Sequence, residues 1–173
     1  MLVSLQADYA LRVLVDVAMH QARGTAVVTR EIADRQHVPR VFLTKIVAQL
    51  ASHGMLRTQR GKGGGVMLGR TPDAINLLDV IETFEGSLQF NQCAHDPKFC
   101  VLSNGCIIRG FWRTAERHLK EFFRNRTLSD LLVLIAKAEA EDTQGVPASF
   151  EESDDLRMMP MVQAEISRTQ PTA

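Results

Sequence analysis

Cys93, Cys100 and Cys106 are all the cysteines of this 173-residue chain, and they fall inside one fourteen-residue run that also holds Pro97 and the pair Asn104-Gly105. A proline and an Asn-Gly pair so close together predict a loop that folds back on itself and can bring three sulfurs to one point. Thiolates are soft donors that select iron-sulfur clusters, Zn or Cu(I), and three of them leave one coordination position for another residue. Two plainer readings stand beside this one: buried core thiols, or one disulfide with a spare. Core thiols belong at apolar helical positions, whereas these sit among His95, Asp96, Lys98, Ser103 and Asn104. A structural disulfide is disfavoured by the odd count and by the lack of an export signal.

The elements that position such a loop follow from composition and pattern. A hydrophobic content of 45% suits a globular chain with a core. The apolar run from Leu11 to Met19 is interrupted by Arg12 and Asp16, so neither a signal-peptide core nor a membrane span is expected, and the reading is a cytoplasmic protein. The balanced charge conceals a division. Residues 1 to 70 carry ten Lys/Arg against four Asp/Glu, and residues 71 to 173 carry ten against sixteen. A basic first half suggests a polyanionic partner for that half.

Ser4 to His20 reads as a helix with Tyr9, Val13 and Val17 on one stripe, Ala10, Leu14 and Ala18 beside it, and Asp8, Arg12 and Asp16 on a polar face. On spacing alone Asp8 forms an exposed pair with Arg12, and Gly24 closes the element. Thr29 is the expected N-cap of a short helix to about Gln36, with Glu31 in its first turn. Pro39 or its neighbour opens a third helix that buries Leu43, Ile46, Val47 and Leu50 and stops at Gly54. Its opposite face offers Arg40, Val41, Thr44, Lys45, Gln49 and Ser52 without an acid. Two short helices joined by a tight turn, the second free of acids, form the pattern of a helix-turn-helix and its reading helix.

Met55 to Arg60 and Val66 to Leu68 are strand-like and flank Gly61-Lys62-Gly63-Gly64-Gly65, which predicts a β-hairpin wing with a basic tip. No Gly-Lys-Ser/Thr follows and no helix opens after Gly65, so nucleotide binding is discarded. The glycines permit close backbone approach to DNA, with Arg60 and Lys62 supplying charge. The candidate DNA contacts are therefore Thr29, Pro39, Arg40, Val41, Thr44, Lys45, Arg60 and Lys62.

Asn76 caps an expected helix carrying Leu77, Leu78, Val80, Ile81 and Phe84 to Gly86, and the cysteine loop comes next. Beyond it Ile108, Phe111/Trp112, Ala115, Leu119 and Phe122 recur at steps of three or four, with Arg113, Glu116, Arg117 and Lys120 between them. That spacing suits a long helix packed on a partner helix, either in a second copy or within the chain. Thr127 to Asp130 start a last helix. From about residue 139 the composition turns acidic, with Glu151-Glu152-Ser153-Asp154-Asp155, and a mostly disordered tail is expected. The fold class predicted is mainly α: a winged helix-turn-helix with a small β-hairpin over 1–72, the cysteine loop and a long dimerisation helix over 73–138, and the tail over 139–173.

Asp8-Tyr9-Ala10, the stretch Leu50-Ala51-Ser52-His53-Gly54-Met55-Leu56, the wing Arg60 to Gly65, the cysteine triplet and Thr127-Leu128-Ser129-Asp130-Leu131 together resemble the IscR/NsrR-type winged-helix iron-sulfur regulators over about residues 1 to 138. The resemblance implies a homodimeric transcriptional regulator, not an enzyme, that binds a pseudo-palindromic operator in double-stranded DNA. It implies an iron-sulfur cluster, 4Fe-4S rather than 2Fe-2S, held by Cys93, Cys100 and Cys106 and sensitive to nitric oxide, oxygen or iron supply. IscR-like members carry a His three residues after the last cysteine, where this chain has Arg109. NsrR-like members have an acid near the N-terminus, which Asp8 matches, so the resemblance implies Asp8 of the partner chain as fourth ligand; His95 and Asp96 are its rivals. Two other functions are consistent with parts of this pattern: a cluster-free thiol-redox regulator and an iron-sulfur carrier protein.

Overall fold

The computed structural model describes residues 3–21, 25–61, 63–102 and 105–140. Helix α1 (Leu5–His20) starts where the Ser4 hydroxyl accepts from the Ala7 amide, and it turns Ala10, Val13, Leu14 and Val17 into the main core. Helix α2 (Thr29–Arg35) and helix α3 (Arg40–Ser52) follow, the second presenting Leu43, Ile46, Val47 and Leu50 to the same core. That spacing of three, four and seven is the apolar stripe of an amphipathic helix. Val28, not Thr29, is the N-cap of α2, and no side chain caps that end; Thr29 is the first helical residue. His37 in the turn has φ of 51°, the left-handed conformation that lets so short a connection reverse direction.

Strands β1 (Leu56–Gln59) and β2 (Gly65–Leu68) form an antiparallel hairpin with Leu56 opposite Leu68 and Gln59 opposite Gly65. Val27 adds one bridge to Val66, its amide donating to the Val66 carbonyl at 2.8 Å and its carbonyl accepting from the Val66 amide at 2.9 Å. The glycine run divides by task. Gly61 and Gly63 take φ of 97° and 80° to turn the chain, while a Cβ on Gly65 would collide with the Val27 carbonyl and one on Gly64 with the Gln59 carbonyl. Gly64 and Gly65 therefore serve contacts within the chain, where close approach to DNA was expected of the whole run.

After a 3-10 turn at Pro72–Ala74, helix α4 (Leu77–Glu85) is capped by the Asn76 side chain, which accepts from the Leu78 amide at 2.9 Å, and ends at Gly86 with φ of 70°. The cysteine segment is more ordered than a plain loop. It holds one turn of helix, α5 (Gln92–His95), and a 3-10 turn at Pro97–Phe99 capped by Asp96, whose carboxylate accepts from the Lys98 amide at 2.9 Å. Helix α6 (Ile107–Arg124) packs against α4 and α5, and helix α7 (Leu128–Ala140) begins where the Asp130 carboxylate accepts from the Thr127 amide. Leu128 is fully buried, and its amide donates to the Ile75 carbonyl, tying the start of α7 to the segment before α4.

Residues Met1–Leu132 form one compact unit and Val133–Ala173 a second. Gly24, Lys62, Ser103, Asn104 and the acidic stretch beyond residue 140 lie outside the described residues. No helix of the described residues is long and apolar enough to cross a membrane.

Candidate DNA interface and cysteine site

Burying one face of α3 leaves the other to solvent. Arg40, Val41, Thr44 and Lys45 are all exposed there, and Val41 keeps 71% of its surface. Thr29, Arg40 and Thr44 meet around a shallow cleft of about 290 Å³ between α2 and α3, with Arg30 beside them. The Thr44 hydroxyl donates to the Arg40 carbonyl at 3.0 Å, which leaves its oxygen facing outward as an acceptor. Asp34 lies 3.9 Å from Arg30 and 3.8 Å from Arg40, an exposed carboxylate shared by two guanidiniums. Such a pair is weak in water and yields readily to a phosphate.

Two residues on α3 depart from the sequence reading. Gln49 donates to the Thr83 carbonyl of α4 at 2.5 Å, so it binds the reading helix to the next layer and does not face outward. Phe42 is 45% exposed beside Val41, although the sequence reading gave it no role. Its signal was legible as an aromatic one residue before the buried stripe, and exposed apolar groups on a reading helix can meet thymine methyls. Arg57, Thr58 and Gln59 are exposed along β1 and Arg60 just after it, which adds Arg57 to the basic side of the wing.

Cys93, Cys100 and Cys106 are free and half-buried. Each sits at an edge: Cys93 in α5, Cys100 ending the 3-10 turn, Cys106 immediately before α6. Three thiols with no disulfide partner suit a soft-metal group in donor chemistry. Among the described residues, no three His, Cys, Asp or Glu side chains gather as a metal-holding group within one chain. His95 and Asp96, the rival donors, are both engaged: Asp96 caps its turn, and His95 Nε2 lies 2.7 Å from Glu116 Oε2. Glu116 is only 6% exposed, although its place among charged residues of α6 suggested a solvated position. Burial alone would raise its pKa, but His95 and Lys120, the latter at 3.3 Å, hold it below the usual carboxylate range.

Asp8 is partly exposed and pairs with Arg12 at 2.9 Å, the arrangement its spacing predicts. Asp16, two turns on, is wholly buried, contrary to the expected polar face. Arg35 clamps it through two nitrogens at 2.7 and 2.9 Å, and Gln36 adds a bond at 3.0 Å.

A family profile described as iron-dependent transcriptional regulators, Rrf2, matches residues 3–133. The chain is 32% identical over 124 residues to the HTH-type transcriptional regulator IscR of Sodalis glossinidius, covering 72% of this chain and 74% of that protein. IscR of Aliivibrio salmonicida is 28% identical over 142 residues, covering 82% and 83%. Among solved structures, T. potens IscR superposes with a TM-score of 0.63 at 27% identity, over 84% of this chain and 94% of that one. The global cysteine regulator CymR of B. subtilis superposes with a TM-score of 0.63 at 25% identity, over 77% and 97%.

Proposed function

The chain belongs to the Rrf2 family of iron-dependent transcriptional regulators, and from that premise we propose a homodimeric, DNA-binding repressor of the NsrR-like branch whose cysteine segment senses nitric oxide, redox state or iron status. It regulates transcription and is not an enzyme. The reading rests on one observation above the others. All three thiols are free and half-buried in a single segment, on elements separate from the reading helix and the wing. Residues 1–72 then read DNA, and residues 73–138 sense the signal and dimerise.

In this reading Cys93, Cys100 and Cys106 hold an iron-sulfur cluster, 4Fe-4S in preference to 2Fe-2S, with Asp8 of a second copy as the remaining donor. When bound, such a cluster supplies a centre that reacts with nitric oxide or oxygen. The chain's own contribution is the ligand set. Three thiolates supply tight soft ligation, and a carboxylate is a hard, exchangeable fourth donor on which a signal can act. Asp8 is accessible for that role because its pair with Arg12 is exposed. Arg40, Thr44 and Lys45 face base edges in the major groove, with Thr29, Pro39 and Val41 beside them, and Arg60 and Lys62 contact phosphates from the wing.

A second reading is favoured by the likeness to CymR. There the same thiols act without a metal, through reversible oxidation. Anaerobic purification followed by visible spectroscopy, before and after nitric oxide and beside an operator-binding assay, separates the two. Cysteine-to-iron charge-transfer bands that nitric oxide bleaches, together with a change in DNA affinity, support the cluster reading, and Cys93→Ala, Cys100→Ala and Cys106→Ala should each remove the colour. Colourless protein whose DNA affinity still responds to a thiol oxidant overturns it in favour of the second.

A further inference from the structure

Helix α6 has two faces of opposite character, and the proposed dimer would cover only the apolar one. Arg109, Arg113, Arg117, Lys120 and Arg124 fall on the other side, within about 80° of arc at 100° per residue, along a stripe of about 22 Å. Together with His95 and Ala94 of α5 they line a groove of about 610 Å³, in which the only acid is Glu116. Elsewhere the helices pair their charges one turn apart, as in Asp8 with Arg12, Arg30 with Asp34 and Glu31 with Arg35. In α6 the pair Glu116–Lys120 is flanked by like charges one turn apart, Arg109–Arg113, Arg113–Arg117 and Lys120–Arg124, each such pair costing a few tenths of a kcal/mol. Lys120 is held by Glu116, by Glu82 at 3.7 Å and by the Ser87 hydroxyl, but the guanidinium groups of Arg113, Arg117 and Arg124 have no hydrogen-bond or ion-pair partner among the described residues.

A second, independent feature lies in the same groove. Gly110 occupies the first turns of α6, where glycine is the least favourable residue after proline. Among the described residues beyond its own turn of helix, a Cβ built there meets no atom within 4 Å. No contact among the described residues accounts for the glycine, and the space that its missing side chain leaves open belongs to the groove. Thr114 adds a hydroxyl to the same lining.

We propose that this groove between α5 and α6 binds a small polyanion, a molecule carrying several phosphate or carboxylate groups. Guanidiniums grip both groups through paired N–H donors, and an array of cations one helical turn apart matches clustered oxyanions. The volume lies in the range of small-ligand sites, about 300–1,000 Å³. Because the groove runs beside His95, two residues from Cys93, its occupant adjoins the sensing segment. The site stands whether or not a metal is bound there.

The test is isothermal titration of the full-length protein at low salt with inorganic tripolyphosphate, with citrate and with a Glu-rich decapeptide. Binding of tripolyphosphate or citrate at one site per chain is expected, the tighter of the two naming the phosphate or the carboxylate source. Arg113→Gln/Arg117→Gln should weaken it at least about tenfold, and Gly110→Leu should block it with every charge retained. Iron chelation by either anion would give the same heat in all variants and so does not imitate this pattern. No binding of either anion at millimolar concentration overturns the proposal, as does binding that both variants leave unchanged. Tighter binding of the decapeptide than of either anion also overturns it, by assigning the stripe to a protein partner. If Gly110→Leu loses helix content by circular dichroism, the arginine variant decides.

Discussion

Asp8 and Asp16 stand two turns apart on one helix and have opposite surroundings. Asp16 is sealed from water, where burial alone would raise its pKa, but the hydrogen bonds from Arg35 and Gln36 prevail and hold it below the usual range. A carboxylate with a depressed pKa contributes stability that is fully present above its unfolded pKa, about 3.9, and is lost as pH falls through the lowered folded value. Asp16→Asn should therefore cost about 1.5 kcal/mol in urea unfolding at neutral pH, since it gives up the charge-assisted hydrogen bonds from Arg35, whose partly exposed guanidinium can turn to water. The deficit should shrink in acid below about pH 4, where the wild type gives up its own advantage. A variant equally destabilised across that range would show that packing, not charge, is what Asp16 provides. Asp8→Ala should cost only a few tenths of a kcal/mol through the lost pair with Arg12. Under the proposed function it also makes the cluster more labile and uncouples DNA affinity from cluster state. An unaltered spectrum with normal DNA switching would move the search for the fourth donor to His95 and Asp96.

The hairpin is held by its glycines and used through its arginines. Gly65→Ala should force β2 away from Val27, because the new methyl would overlap the Val27 carbonyl, at a cost of about 2 kcal/mol. Thermal unfolding measures that cost, and a neutral Gly65→Ala would mean that the bridge between Val27 and Val66 is dispensable. Arg60→Ala, by contrast, should leave stability unchanged. It should lower operator affinity and flatten the salt dependence by about one unit of slope for a lost phosphate contact. Affinity that is unchanged at moderate salt would remove the hairpin from the DNA interface. Under the proposed function Arg40, Thr44 and Lys45 meet base edges, so substitutions there should alter which sequences are preferred.

At the scale of the molecule, the apolar face of α6 is what calls for a partner. Ile107, Ile108 and Phe111 retain 88%, 65% and 63% of their surface in one chain. A single chain does not leave so many large apolar groups in water on one helix without a partner for them, and a second copy is the simplest cover. Phe111→Glu should convert a dimer to a monomer by light scattering. It should weaken operator binding steeply, because two half-sites then have to be bound independently. A Phe111→Glu protein of unchanged mass would assign this face to another partner.

Spacing alone carried the winged-helix architecture, because burial of Leu43, Ile46, Val47 and Leu50 follows directly from helical period and the glycines at 61 and 63 mark a turn that few other residues can make. It carried the confinement of the three thiols to one segment but not their convergence, since among the described residues no three donor side chains gather into a metal-holding group. Tertiary structure decided what period cannot. Asp16 is buried because the end of α2 brings Arg35 and Gln36 against it, and Glu116 because α5 brings His95; none of these three partners is a neighbour in sequence. Gln49 faces α4, and Gly65 answers to Val27, for the same reason. A charged side chain in a helix looks solvated until a distant element supplies its counter-charge, and a glycine looks like freedom until another strand claims the space where its side chain would be.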